Sequence, residues 1–538
     1  MSGLGERCVK QGLRASSVLP GEGPCYARKV PNVSKQLAPL AYSAAGGLSV
    51  GFSGEPWSYN VLAFVGVALL AQAVQSSRAL SRPHLRSLFA GFVFGTSANA
   101  VALGSVVDLL EQFGHFPAYF SWPTAALCWF AQGAPYAVAC VATSIACARS
   151  VPWLVAFPLA LTAALGSVPQ LFPWHVGTTQ IDFLWFAQIA DLGGEAVLDL
   201  SLGVASVGLA GVMQGPAKSR RAAALALVLS LLLPCAYGFV RLAEVRELRK
   251  SADSLRIGVA QPNVDIHEKH DPALRAQILD NLRELTHSLE ARGADLTVWP
   301  ETAYPYMFSR LRRQVPTDQR AILNERVHGP IVMGLVSYEN DAKGLERRYN
   351  TAWLVKKGGA LGSRVDKTRL LAFGEYVPFW DLLPPLQKRF PSPGFAAGKP
   401  GVIDADGRKL GMLICYEDLF FAMARGVVRR GAEVLVNMTN DAWFGRGHVP
   451  GLHDMMAHLR AIETRRDLVR AVNTGVSSFT LATGENIKRT PIFERTSFIA
   501  DTRKLEIQTL YVRLGDLLTP LCLLLLVGLS LLKTGTQR

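Results

Sequence analysis

The chain has 538 residues, too many for one ordinary domain. Charged residues make up 18% of it and hydrophobic residues 49%, where soluble proteins carry roughly 25% charge. A net charge of +14 would suit a nucleic-acid binder. Between Leu37 and Val240, however, the basic residues are only Arg78, Arg82, Arg86, Arg149, Lys218, Arg220 and Arg221, all in short connectors. Charges placed so set membrane topology and argue against a nucleic-acid partner.

A membrane span needs roughly 20 mainly apolar residues. Candidates lie near 37–54, 57–76, 87–109, 122–147, 151–170, 193–213, 221–240 and 516–532. The first and fifth are short or interrupted by Gly and Pro. The tail 1–36 holds Arg7, Lys10, Arg14, Arg28, Lys29 and Lys35, which places it in the cytoplasm, and no compact apolar core marks it as a cleaved signal. With eight spans, the connectors returning to the cytoplasm hold all seven basic residues. The others hold Glu55, Asp108, Glu111 and Asp182. Lys533 and Arg538 follow the last span on the cytoplasmic side. The expected organisation is a membrane domain over 37–240, a soluble domain over 253–508 facing away from the cytoplasm, and a last span at 516–532. The connector "LFPWHVGTTQIDFLWFAQ" is aromatic-rich, as interfacial segments are.

The soluble region alternates short apolar strands with amphipathic helices. "LRIGVAQ" reads as a strand, and 272–291 as a helix with Leu274, Ile278, Leu282, Leu285 and Leu289 at helical spacing. "DLTVWPE" is a strand stopped at Pro300; "PIVMGLVSY" and "YNTAWLV" are strands. "GVIDADGRKLGMLIC" reads as a hairpin turning on Asp406-Gly407. A helix at 418–430, the strand "EVLVNM", a helix at 450–467 and the strands "LVRAVNT" and "SSFTLAT" complete an α/β layered domain.

The chemistry-bearing residues fall at strand ends, where such domains place their sites. Glu301 ends one strand, Cys415 ends another, and Asn440-Asp441 follow a third; Lys367 and Glu375 lie in "RVDKTRLLAFGEYVPF". Of eight cysteines only Cys415 falls in the soluble domain, so it has no intradomain disulfide partner. A cysteine in that position is core filler or a nucleophile. As a nucleophile it needs a base, since a free thiol ionises near 8.5. The histidines of "HVPGLHDMMAH" and "VDIHEKH" are candidates, and so is Glu301 beside Trp299 and Pro300, where burial would raise a carboxylate's pKa. Lys367 could stabilise an oxyanion together with a backbone N–H after the cysteine, or be a solvated loop lysine.

Taken together, "VWPETAYP", "YNTAWLV", "DKTRLLAFGEYVPF", "ICYEDLF" and "NDAWFG" resemble the nitrilase superfamily, and within it the apolipoprotein N-acyltransferases. The resemblance implies an α-β-β-α sandwich inserted before the last of about eight transmembrane helices of a bacterial inner-membrane protein. It implies Glu301 as general base, Lys367 as oxyanion stabiliser and Cys415 as nucleophile, with supporting roles for Glu375, Tyr416, Glu417 and Trp443. It implies a phospholipid acyl donor, a thioester on Cys415, and the α-amine of a diacylglyceryl-modified apolipoprotein as acceptor, with no metal or organic cofactor. A membrane-anchored amidase of the superfamily, or an acyltransferase with another acceptor, is the alternative. A transporter carrying an inactive module fits less well, because all three triad positions are filled. The chain departs from the family in its membrane half: Phe172-Pro173-Trp174 are kept, but the span before them has no Glu or Arg, and His270 stands where Trp is common. "EYVPFWDLLPPLQKRFPSPGF" (375–395) suits a mobile arm over a lipid entrance or a rigid loop.

Overall fold

The computed structural model describes residues 33–532, apart from 342–343, 373, 378–379, 381, 383 and 385–393. Most of the 375–395 arm, the tail before 33, Lys533 and Arg538 therefore lie outside the described residues.

The soluble domain is built on β1 (Ser254–Gln261), β2 (Leu296–Val298), β3 (Phe308–Ser309), β4 (Ile331–Asn340), β5 (Glu346–Val355), β6 (Leu361–Asp366) and β7 (Val402–Ala405). It continues through β8 (Arg408–Ile414), β9 (Val434–Thr439), β10 (Leu468–Val472), β11 (Ser478–Thr480), β12 (Asn486–Arg489) and β13 (Thr496–Arg503). One sheet runs β13-β1-β2-β4-β5-β6 with β3 on β4, and the other runs β12-β11-β10-β9-β8-β7. The two sheets face each other because alternate side chains of each strand are apolar on that side. Ile257, Val259, Val298, Val332 and Leu354 of the first meet Met412, Ile414, Val436, Met438 and Val469 of the second.

The opposite faces are covered by helices. Helix Arg275–Ala291 lays Ile278, Leu282, Leu285 and Leu289 on Trp299, Met333 and Trp353. Helices Phe421–Val428 and Val449–Thr464 cover Leu413, Leu435 and Leu468 of the second sheet with Met423, Val427, Ala457 and Ala461. The result is an α-β-β-α sandwich. Asp406 and Gly407 both take positive φ between β7 and β8, the backbone a two-residue hairpin requires.

The N-terminal half is helical. Val61–Arg78, Ala118–Ala148, Glu195–Gln214 and Ser219–Ser251 are each long and apolar enough to cross a membrane. Pro83–Ala102 with Val106–Gln112 makes a fifth if the pair, bent by 70°, counts as one span. Trp153–Ser167 and Leu518–Leu532 are apolar but shorter, with 15 residues each. Small residues let these helices touch: a Cβ on Gly91 would meet the Ala137 Cα at 2.4 Å, and one on Gly95 the Gly133 Cα at 2.3 Å.

The helix Ala217–Ser251 outruns the span read at 221–240, delivering the chain almost directly into β1. The aromatic connector also differs from a surface belt. Trp174, Val176, Ile181 and Phe186 are buried in the core of the helical half, while Leu171, Phe183 and Trp185 reach the surface.

The two halves share that core. Leu452, Met455, Met456, Leu459 and Ile462 of helix Val449–Thr464 pack into it, so one face of this helix covers the sandwich and the other the helical half. Buried ion pairs reinforce the seam. Arg460 joins Glu195 at 2.6 Å, Arg465 joins Asp191 at 2.8 Å, and Arg249 joins Asp467 at 2.6 Å. His175, just after Phe172-Pro173-Trp174, contacts Asp199 at 2.6 Å and Glu195 at 3.3 Å. The connector's charged partners thus come from helix Glu195–Gln214, not from the span before it.

Candidate active site

Glu301 follows β2 through Trp299-Pro300, and its backbone lies against β4. A Cβ on Gly334 would come within 2.1 Å of the Pro300 carbonyl oxygen and 2.9 Å of the Glu301 Cα, so only glycine admits this approach. Lys367 follows β6 and is 1% exposed. Its Nζ donates to Glu301 Oε1 at 3.1 Å and to Glu375 Oε1 at 2.8 Å. Asn350 of β5 donates through Nδ2 to the same two oxygens, at 2.6 and 3.2 Å. The second Glu375 oxygen accepts the Leu371 N–H at 2.9 Å. Two carboxylates are thus held together by an ammonium and an amide.

Cys415 directly follows β8 and begins the tight turn Cys415–Leu419, with φ at +56°. A non-glycine residue in the left-handed region is strained by about 1 kcal/mol or more, so its surroundings must hold it there. Two do. Asn437 of β9 donates to the Cys415 carbonyl at 2.8 Å. Glu417 accepts the Ile414 N–H at 2.8 Å through one oxygen, and those of Thr368 and Arg369 at 2.6 and 2.9 Å through the other. One buried carboxylate therefore ties the cysteine turn to the loop that carries Lys367. Asp418 accepts from Arg470 and sits 2.9 Å from His453 Nε2, whose Nδ1 is 3.0 Å from Asp441.

The electrostatics follow from burial. It pushes the Cys415 thiol far up; Glu301 and Glu375 act in the same sense and Lys367 opposes them. The thiol is therefore neutral at rest. Burial pulls Lys367 down, but Cys415 once ionised, and the Glu301 and Glu375 carboxylates, outweigh it and keep the lysine cationic. Burial also raises Glu417 to about 7 against the pull of its three backbone N–H groups.

The sequence-derived residues are not equally placed. Glu301, Lys367 and Glu375 meet directly. Tyr416 lies beside them, its ring centroid 5.5 Å from Lys367 Nζ. Trp443 is exposed on the turn Asp441–Phe444, whose Phe444 ring stands against Phe172 of the helical half at 6.4 Å. The histidines do not pair with the cysteine. His267 and His270 are exposed, His448 contacts the Val101 and Ala102 carbonyls, and His453 and His458 are engaged by carboxylates.

Sequence reading missed Asn350, Asn437 and Lys269. Lys269 donates to Thr302 Oγ1 at 2.6 Å and to the Glu301 carbonyl at 3.3 Å. Its only sequence signal was the stretch "VDIHEKH", where the histidines drew attention. Among the described residues no group of His, Cys, Asp and Glu is arranged to hold a metal ion.

The chain matches the carbon-nitrogen hydrolase family over residues 256–509 and the apolipoprotein N-acyltransferase N-terminal domain over 46–210. The apolipoprotein N-acyltransferase of Geobacter metallireducens is 31% identical over 444 residues, 80% of this chain and 84% of the relative. Those of Gloeobacter violaceus and Vibrio vulnificus are 29% and 28% identical, covering 94% and 93% of the relatives. Among solved structures, a mutant amidase of the nitrilase superfamily from Nesterenkonia AN1 aligns with 22% identity and a TM-score of 0.35, covering 48% of this chain and 93% of the amidase.

Proposed function

The chain belongs to the apolipoprotein N-acyltransferases, and from that premise we propose that Cys415 carries the acyl group between a membrane phospholipid and the α-amine of a lipoprotein. The activity is N-acylation of apolipoproteins in a membrane protein with a nitrilase-like domain. The observation that carries the mechanism is the Glu301–Lys367–Glu375 cluster, whose charges act directly on the Cys415 thiol.

Glu301 accepts the Sγ proton as the sulfur attacks the ester carbonyl. The tetrahedral oxyanion is stabilised by Lys367 and a backbone N–H after the cysteine, a contribution of about 10²–10³ in rate for one such donor. Collapse expels the lysophospholipid alkoxide, which takes the proton back from Glu301 and leaves a thioester. The diacylglyceryl-cysteine amine then attacks the thioester carbonyl and gives a proton to Glu301. Sulfur departs, is reprotonated, and the amide is released. Splitting one acyl transfer into two lowers each barrier.

Topology follows from the same reading. Arg78 reaches the Cys147 carbonyl and Arg86 the Gln36 carbonyl, which gathers these basic connectors at one end of the bundle. The catalytic domain meets the other end, where His448 contacts the Val101 and Ala102 carbonyls. This supports a cytoplasmic N-terminus and a periplasmic catalytic domain. The exposed Phe116, just before helix Ala118–Gln132, and Tyr119, Phe120 and Trp122 of that helix stand on that side and suit a lipid entrance.

The test is direct. The purified protein, incubated with labelled phospholipid, should carry an acyl adduct on Cys415 that hydroxylamine releases, and Cys415→Ser should abolish lipoprotein acylation. No adduct, together with an active Cys415→Ser variant, would overturn the reading.

A further inference from the structure

The triad explains one cation, yet the site holds a second. Counting one charge per group, Glu301, Glu375 and Lys367 leave a surplus negative charge around a buried thiol. Lys269 supplies the balance. It projects from helix Ile266–His270, whose start is secured by Asp265 and Glu268 in a reciprocal cap. Its ammonium donates to Thr302 Oγ1 at 2.6 Å and to the Glu301 carbonyl at 3.3 Å. Both acceptors are neutral, so the hydrogen bonds do not cancel the charge. Thr302 takes φ of +45°, a strained value for a β-branched residue, and Lys269 clamps that turn directly after the base.

We propose that Lys269 is a second cation of the active centre, a positioning residue that fixes the Glu301–Thr302 turn and whose charge favours the Cys415 thiolate over the thiol. The inference rests on the assignment of Cys415 as nucleophile and Glu301 as its base. The largest charges acting on Cys415 are Glu301, Lys367, Glu375 and Asp441, and those acting on Lys269 are Glu301 and Cys415. The other ionisable residues of its short helix, His267, Glu268 and His270, are exposed. Burial lowers Lys269 to about 8 while Glu301 and Cys415 pull it upward, so the coupling runs in both directions. When the Sγ proton passes to the Glu301 carboxylate, the cluster of Glu301, Glu375, Cys415, Lys367 and Lys269 stays neutral overall. Without Lys269 the same transfer takes place in a cluster of net charge −1.

The experiment uses the full-length protein in detergent and iodoacetamide, a neutral reagent that forms an S–C bond with the thiolate and expels iodide. Mass spectrometry of the Cys415 peptide gives the alkylation rate from pH 6 to 10 for wild type, Lys269→Met, Lys269→Gln and Lys269→Arg. Below about pH 8, where Lys269 keeps its proton, loss of its charge should displace the rate–pH curve upward by about one unit, an approximately tenfold slower reaction at pH 7, and the curves should converge above that pH. Lys269→Arg should stay close to wild type. A purely structural role would lower the amount of reactive protein without displacing the curve of the folded fraction. Curves of Lys269→Met and Lys269→Gln superimposed on wild type would overturn the inference while leaving the nucleophile standing. A wild-type Cys415 that stays unmodified across the whole range would overturn the nucleophile assignment and this inference with it.

Discussion

Replacing Glu375 by Gln probes the cluster with almost no change in shape. Lys367 is 1% exposed and its ammonium is shared between Glu301 at 3.1 Å and Glu375 at 2.8 Å. Removing one partner of a buried ion pair costs about 3–5 kcal/mol when nothing replaces it. Here Glu301 remains and the glutamine carbonyl still accepts, so about 2 kcal/mol is a fair share. The amide N–H₂ then faces the Leu371 N–H that the second Glu375 oxygen accepts at 2.9 Å, adding about 1 kcal/mol. Lys367 is also drawn onto Glu301, occupying the carboxylate proposed to receive the thiol proton. The same contacts hold the proposed oxyanion cation in place, so a loss of about 3 kcal/mol carried into the transition state corresponds to an approximately hundredfold slower thioester formation. The assay is single-turnover transfer from a fluorescent phospholipid, read as hydroxylamine-labile label on Cys415. A rate within threefold of wild type, with unchanged thermal melting, would refute the reasoning.

Two further outcomes are expected. Glu417→Gln sets an N–H₂ against at least one of the N–H groups of Ile414, Thr368 and Arg369, at about 1–3 kcal/mol per lost acceptor; thioester formation should drop about tenfold or more, and an unaltered burst would contradict this. The buried His453 is pulled down by burial, but Asp418 and Asp441 prevail and hold it at about 9 against 6.5 unfolded. Because the native state binds this proton more tightly, its stabilisation is complete below 6.5 and fades as pH rises through 9, by up to about 3 kcal/mol. Urea midpoints should fall across that window, and His453→Gln should flatten the fall; an equal slope in the variant would refute the assignment.

The chemical residues were legible because each sits in a local pattern that repeats the same physics: an apolar strand, then an abrupt polar residue at its end. Glu301 after "LTVW" and Cys415 after "GMLI" announce themselves in this way. Lys269, Asn350 and Asn437 carry no such mark. Asn350 lies inside β5, where strand alternation predicts only a side chain facing one way or the other. The pairing of β5 with β4 and β6 turns it toward Glu301 and Glu375. The membrane half was legible by composition, but less so by shape. Hydropathy marks apolar length, and it misses the 70° bend after Ala102 and the burial of the aromatic connector.

Composition and charge alone therefore separated a helical apolar half from an α/β half, because burial demands apolar length and connector charges do not cross a bilayer. They also marked the strand ends and the following loop where Glu301, Lys367 and Cys415 stand. Only the tertiary structure decided which of these meet. Contacts such as Lys367 with Glu301, 66 positions apart in sequence, or Arg460 with Glu195, 265 apart, depend on how two sheets and a shared helix pack. The same packing sets the fields at the site, since the charge of Lys367 and the reluctance of the Cys415 thiol to ionise both arise from burial among specific neighbours.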